Sequence, residues 1–379
     1  MKIVVSAASG IEAVTKRELN KLGISDAPAL NGRISFEGDI KDLAACNLYL
    51  STAGHVYLSL AEFKCSSFDE LFDAIKEVPL ENYIPANAKI IVEAKLVSST
   101  LTAYSATQSV AKKAIVERLL KAYRVRTLSE TGARYNLEIS ILKDHATLYL
   151  NTSGEGLHRR GYRPIVGGAQ IKETLAAALI DLSVWRPDRP FADIFCGTGT
   201  IAIEAALKAR NIPCGINRDF DFLHHSYFDK RVFDEMKAEA VRNIRPNLSE
   251  KIYAADIDEN QLALCKKHAK FAGVEKDIII ERKDMRDFAG GDRRGVVISN
   301  PPYGERLSDR AHIEELYRAL GKVAAKNNEW CFYTLTPVDD FERLFGKSAD
   351  KKRKLFNGRI QCYYYAHLAE KSDSPKKKS

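Results

Sequence analysis

The chain has 379 residues, long for one average domain, and its 45% apolar and 28% charged content is that of a folded globular protein. No window approaches about 18 consecutive apolar residues, which argues against a membrane span, and Met1-Lys2-Ile3-Val4-Val5-Ser6 lacks the features of a secretory leader, so a cytoplasmic protein is expected. The net charge of +8 is compatible with a polyanionic partner, while seven cysteines without a C-x-x-C pair imply neither a zinc site nor a disulfide framework.

Up to about residue 155, short apolar runs alternate with amphipathic helices. Ile3–Val5 reads as a strand, Gly10–Leu22 as a helix, Arg33–Glu37 as a half-buried strand and Ile40–Tyr49 as a helix. His55–Leu60 reads as a strand. Ser67 can cap the helix Phe68–Ile75, with Glu70 at the capping-box position. A strand at Ile90–Ala94, a helix at Ala106–Tyr123 and strands at Tyr135–Leu142 and Ala146–Leu150 complete an α+β arrangement.

The segment Gly154–Val166, rich in Gly, His and Arg, reads as a domain boundary. Beyond it the pattern is doubly wound. Helix Ile171–Val184 leads to strand Phe191–Phe195, a glycine turn and a helix to Arg210. The stretch 211–250 reads as an insertion with a helix at Val232–Ile244. Strands at Ile252–Ala255, Ile278–Glu281, Gly295–Ser299 and Trp330–Leu335 alternate with helices Glu259–Ala272 and Ile313–Ala325. Asn357-Gly358 between apolar runs predicts a closing hairpin at the edge of a parallel sheet.

Asp193-Ile194-Phe195-Cys196-Gly197-Thr198-Gly199-Thr200-Ile201-Ala202 fits G-x-G-x-x-A between a strand and a helix. Such a turn either serves packing or brings backbone and helix N–H groups to a nucleotide-like ligand. Asp193, on the strand itself, could hold an ammonium but would repel a pyrophosphate. Asp256 ends the next strand, where a carboxylate can accept from ribose hydroxyls, and Asp258 suits the helix N-cap. Together these favour S-adenosylmethionine over a dinucleotide.

Asn300-Pro301-Pro302-Tyr303-Gly304 follows the strand Val296–Ser299 at its carboxyl end, where ligands bind in open α/β sheets. The Asn300 side-chain carbonyl and the Pro301 main-chain carbonyl can each accept one N–H of an aromatic amine. That steers its nitrogen to a methyl donor and favours the positively charged transition state. Neither proline has an N–H to compete, and Tyr303 offers a face for the base. The bland alternative is an Asn-Pro turn ending a strand.

With Asn300–Leu307 added to the Asp193 and Asp256 motifs, nearly the whole chain resembles the THUMP-domain RNA guanine-N2 methyltransferases. The likeness is strongest to the methyltransferase half of the bacterial enzymes that form N2-methylguanosine in 23S ribosomal RNA. The resemblance implies a Rossmann-like class I methyltransferase domain at 156–370, preceded by an α+β region. That region comprises a ferredoxin-like domain at 1–60 and a THUMP RNA-binding domain at 61–155; a basic, disordered tail at 371–379 follows the catalytic domain. It implies S-adenosylmethionine as cofactor, contacted by Gln170, Glu173, Asp193, Phe195, Cys196, Gly197, Thr198, Gly199, Asp256, Ile257, Asp284 and Met285. Asn300, Pro301, Pro302 and Tyr303 would be the catalytic set. The linker His158–Arg163 and the helix start at Ala169–Thr174 match as well. Arg159, Arg160 and Arg163 are read either as phosphate contacts or as a solvated face. The chain departs from the family at Ile194, where a proline is usual, and in having no second methyltransferase domain after residue 370. No metal and no membrane partner are expected. The RNA is 23S rRNA on this reading, with tRNA, adenine-N6 of DNA, or a non-catalytic RNA-binding assembly role as alternatives.

Overall fold

The computed structural model describes residues 1–30, 32–164, 170–291, 293–304 and 310–369. Ala169, the Glu305-Arg306-Leu307 extension and the tail 371–379 lie outside the described residues. The chain forms two compact units, and the division is not a single cut. One unit takes residues 1–7, 15–157 and 215–240, the other 8–14, 158–214 and 241 onward.

The first unit is built on one seven-stranded sheet. Its strands are β1 (Lys2–Ala7), β2 (Ala29–Leu30), β3 (Arg33–Glu37), β4 (Ala53–Lys64), β5 (Lys89–Val97), β6 (Arg134–Leu142) and β7 (His145–Asn151), in the order β2-β3-β1-β4-β7-β6-β5. β4 runs across residues 60 and 61, with a register shift between Ser59 and Ala61. Helices α1 (Glu12–Lys21), α2 (Ile40–Tyr49), α3 (Phe68–Glu77) and α4 (Tyr104–Tyr123) accompany the sheet. Ser67 accepts the Glu70 N–H as the sequence suggests, but the Glu70 carboxylate returns to the N–H of Ser66.

In the second unit α5 (Glu173–Leu182) precedes the strands β8 (Phe191–Asp193), β9 (Ile252–Asp256), β10 (Ile278–Arg282), β11 (Val296–Ser299), β12 (Cys331–Thr336), β13 (Lys351–Asn357) and β14 (Ile360–His367). They follow the order β10-β9-β8-β11-β12-β14-β13, all running the same way except β14, which is antiparallel to both β12 and β13. Helices α6 (Thr200–Ala209), α8 (Glu259–Phe271), α9 (Arg310–Lys326) and the short α10 (Phe341–Phe345) connect them. α6 is buried almost throughout, and strands such as Val296–Ser299 are apolar on both faces, as a covered parallel sheet requires. Among the described residues no helix is long and apolar enough to cross a membrane.

The insertion expected at 211–250 has an unexpected destination. Between α6 and β9, residues 215–240, with most of α7 (Lys230–Arg242), belong to the first unit. There the Gly215 N–H donates to the Leu48 carbonyl and the Phe222 N–H to that of Thr152, at 2.9 and 3.0 Å. His225 stacks on the fully buried Tyr135 with ring centroids 4.0 Å apart.

Candidate active site

Parallel β8, β9, β10 and β11 all end at the same edge of the second sheet. β14 runs antiparallel to β12 with Thr336 paired to Tyr363, which brings the Asn357-Gly358 turn back to that edge. A cavity of about 860 Å³ opens there. Its walls carry Gln170, Ile194, Phe195 and Gly197, then Asp256–Asp258, Asp284–Arg286 and Asn300–Gly304, and also His312, Leu316, Asn357 and Ile360.

The two glycines of the first loop do different jobs. Gly197 has φ +50 and nothing within 4 Å of where a Cβ would stand, so its bare side faces open space. Gly199 has φ +87, and a Cβ there would come within 2.4 Å of the Cys265 sulfur; it permits the close approach of α8. The Gly197 N–H donates to Asp256 Oδ2 at 2.8 Å and the Asp258 N–H to Asp256 Oδ1 at 3.0 Å, which fixes the carboxylate. Each of its oxygens keeps a lone pair for a further donor. Asp258 caps α8 through the Asn260 N–H.

Several expected cofactor residues sit behind this wall. Asp193 is 1% exposed and accepts from the Phe195 N–H at 3.2 Å and the Ser299 hydroxyl at 3.4 Å. Burial, with a smaller push from Asp256, raises its carboxyl to about 8, against the pull of the Phe195 N–H. Cys196 and Thr198 are buried and shape the turn, Cys196 donating its N–H to the Ala255 carbonyl. Phe195, Ile257, Asp284, Met285 and Gln170 do reach the cavity.

Asn300 and Pro301 stand on the cavity wall with Pro302 and Tyr303. The sequence suggests a stacking face for Tyr303 and leaves its hydroxyl without a role. In the structure that hydroxyl donates to Asn300 Oδ1 and accepts from Asn357 Nδ2 at 3.3 Å. Burial, then Cys362, pushes the phenol well above its ordinary range, so at neutral pH it is a donor. The Tyr317 hydroxyl donates to the Pro302 carbonyl at 3.3 Å, holding the turn from α9.

Two expectations are overturned by burial. Glu173 is not on the cavity wall; it is 5% exposed and pairs with Arg163 at 3.3 Å. Arg160 is 4% exposed and pairs with Glu204 of α6, whose carboxylate also accepts from the Tyr162 hydroxyl at 2.9 Å. Arg163 donates to the Ile171 carbonyl and Thr200 hydroxyl at 3.0 and 3.1 Å. Neither guanidinium is presented to a phosphate. Arg159 is exposed. Conversely, sequence reading missed His312, Asn357 and Ile360. The Asn-Gly turn was a visible signal, but its place at the site follows only from the β12–β14 pairing.

The wall chemistry fits a cationic nucleoside. Ile257 is 64% exposed although apolar, and with Met285 and Phe195 it offers a shelf for a flat ring. Beside it Asp256 and Asp258 suit hydroxyls, amines and positive charge, while the Asp284 carboxylate holds the Arg286 guanidinium at 2.9 Å.

Comparison with known proteins agrees with this geometry. Family models match at residues 2–57 (RlmL ferredoxin-like domain), 65–151 (THUMP domain) and 160–366 (RMKL-like methyltransferase domain). The Bacillus subtilis (strain 168) "Putative RNA methyltransferase YpsC" is 42% identical over 99% of this chain and 98% of its own. Solved structures include SMU.472, "a putative methyltransferase complexed with SAH", 38% identical with a TM-score of 0.93 over 98% of this chain and 99% of that one. A "predicted N6-adenine-specific DNA methylase" from Listeria monocytogenes str. 4b F2365 is 42% identical with a TM-score of 0.92, over 97% of this chain and 96% of that one. Fold, site geometry and matches over the full length agree that the chain belongs to the THUMP-bearing, RMKL-like methyltransferase family.

Proposed function

We propose that this chain uses S-adenosylmethionine to methylate the exocyclic N2 amine of a guanine in RNA, with 23S rRNA as the substrate. The observation that carries the reading is the Asn300 amide on the wall of the cavity that also holds Asp256 and Asp284. When bound, S-adenosylmethionine supplies a methyl group made electrophilic by its sulfonium. Gly197, Ile257, Met285 and the carboxylates of Asp256 and Asp284 would hold that donor.

The Asn300 side-chain oxygen and the Pro301 carbonyl accept the two amine N–H groups and orient the nitrogen. As the nitrogen gains positive charge, both oxygens stabilise it. The Asn300 oxygen has two lone pairs, so it can keep the Tyr303 hydroxyl while taking an amine proton. No general base is needed, because the nitrogen sheds its proton after transfer. The THUMP match and the name of the Bacillus relative support RNA; the name of the Listeria relative favours a second reading, adenine-N6 of DNA, since the same two oxygens suit either amine.

The test is tritiated methyl transfer to unmodified 23S rRNA, tRNA and duplex DNA, followed by mass spectrometry of the nucleosides. N2-methylguanosine from 23S rRNA is expected, and Asn300→Ala should slow its formation about 10²–10³-fold with donor affinity retained. Methylguanosine from tRNA alone would move the substrate, and methyladenine from DNA alone would replace the reading. Donor binding without transfer to any of the three would leave an RNA-binding assembly role.

A further inference from the structure

We infer that the outer strand β13 is a rail for the RNA phosphates that flank the target nucleotide; this rests on the RNA reading above. Residues 351–361 contain five cations (Lys351, Lys352, Arg353, Lys354 and Arg359) and no acid. All five are exposed. Several exposed arginines elsewhere on this unit meet carboxylates, as Arg282 meets Glu259, Arg293 meets Glu250 and Arg318 meets Glu314, while among the described residues single ones such as Arg186 and Arg242 do not; what sets β13 apart is the clustering of its cations. Here only Lys352 meets a carboxylate, that of Glu342 at 3.8 Å. Among the described residues no carboxylate lies within ion-pair distance of Lys351, Arg353, Lys354 or Arg359.

Charges on an edge strand often serve only to prevent pairing with another sheet. That need is partly met already. The turn at Gly10 lies so close to β13 that a Cβ there would stand 2.7 Å from the Lys354 carbonyl, and Arg353 donates to the Gly10 carbonyl at 3.4 Å. The cations are also fixed relative to the site. Leu355 is fully buried and anchors the strand, and the Asn357-Gly358 turn at its end lines the cavity. At about 3.3 Å per residue, Lys354 lies roughly 10 Å and Lys351 roughly 20 Å from Asn357 along the strand. A backbone laid along this row would present one of its bases to the cavity. Lys352 sits 4.3 Å over the Tyr363 ring, and Lys354 sits 5.5 Å over that of Phe356, so these two ammonium groups are held in place rather than loose.

The test compares the wild-type chain with Lys351→Glu/Arg353→Glu/Lys354→Glu on an unmodified 23S rRNA transcript. KM for the transcript should rise at least about tenfold at near-physiological salt, with kcat at saturation and donor affinity unchanged. Three lost phosphate contacts should also flatten the plot of log affinity against log salt by about 2. Unchanged KM and salt slope, in a protein that methylates the transcript, would overturn the rail alone. A wild-type chain that neither binds nor methylates RNA would overturn the RNA reading and the rail with it. Preferential binding of duplex DNA, weakened by the same variant, would reassign the partner. Should the reversed variant fail to fold, Lys351→Gln/Lys354→Gln gives the same readout, expected about threefold in KM. Lys322→Glu, exposed on α9, serves as the control that leaves KM unmoved.

Discussion

Two stretches of the second unit look alike as sequence and are opposites as structure. His158–Arg163 and Lys351–Lys354 are both short, cationic and close to segments that carry chemistry. In the linker, Arg160 is buried and Arg163 partly so, and each meets a glutamate, Glu204 or Glu173. On β13 the cations stay in water, and among the described residues only Lys352 has a carboxylate in reach. What separates the two is not the run of positive charge but an acid elsewhere in the chain. Glu204 lies in a helix buried on nearly every side, where an ionised carboxylate needs a counter-charge, and Arg160 from 44 residues away supplies it. A burst of arginine is evidence about partners only after its own carboxylates have been found.

The sharpest way to break this contrast is Glu204→Ala, which leaves the Arg160 guanidinium and the Tyr162 hydroxyl buried with their shared acceptor gone. Burial opposes the Arg160 charge and Glu204 more than restores it, so the guanidinium stays protonated. The loss should reach about 3–5 kcal/mol in urea unfolding. Replacing both partners, as Arg160→Met with Glu204→Leu, should recover most of it, because neither buried charge then remains. A cost of Glu204→Ala below about 1 kcal/mol would mean that water reaches the pair and that the linker is not the buried element described above.

Asp193 is a third case, a buried acid that no cation among the described residues pairs with. Its carboxyl, raised by burial from 3.8 to about 8, favours the protonated form in the folded chain. A raised acid contributes stability that is fully present below about pH 4 and is lost as pH climbs through about 8. Asp193→Asn keeps an oxygen for the Phe195 N–H and cannot ionise. The variant should therefore match wild type near pH 4 and exceed it by on the order of a few kcal/mol near pH 8. Urea midpoints taken across that range check it; parallel curves would show that the carboxylate is stabilised by a donor other than Phe195 and Ser299. Saturating S-adenosylmethionine, whose ammonium would favour the ionised acid, should narrow the gap if that group comes near the loop.

Much of the architecture was legible because it rests on local signals. Asp258 caps α8, Ser67 caps α3, and the buried runs Val296–Ser299 and Cys331–Leu335 are strands. The Asn300 turn could be assigned to the cavity because a parallel strand carries its carboxyl end there. Other features depended on distant partners. β13 begins at Lys351, six residues before its turn, and four consecutive cations conceal a strand whose support is the β14 ladder rather than an apolar period. Residues 215–240 looked like a detour within one domain, because nothing local in Gly215 or His225 reveals Leu48 or Tyr135 as their neighbours. Cys196 and Thr198 fit the motif yet face inward, since a motif records spacing and the turn decides which side chains reach the wall.

The smallest expected effect is the one that separates β13 from the linker most cleanly. Lys351→Gln/Lys354→Gln removes two exposed cations that no carboxylate among the described residues pairs with, so no described ion pair is lost and no desolvated charge is stranded. Surface changes of this kind stay within about 0.5 kcal/mol. The sign is informative even so. Like charges spaced along one strand repel, so neutralising two of them should raise the urea midpoint slightly at low salt. The gain should vanish near 1 M salt, where the screening length falls to about 3 Å. A loss of about 2 kcal/mol or more would mean that these lysines hold the hairpin in place, and a strand that needs its cations for folding could not be distinguished from the linker by what its charges do.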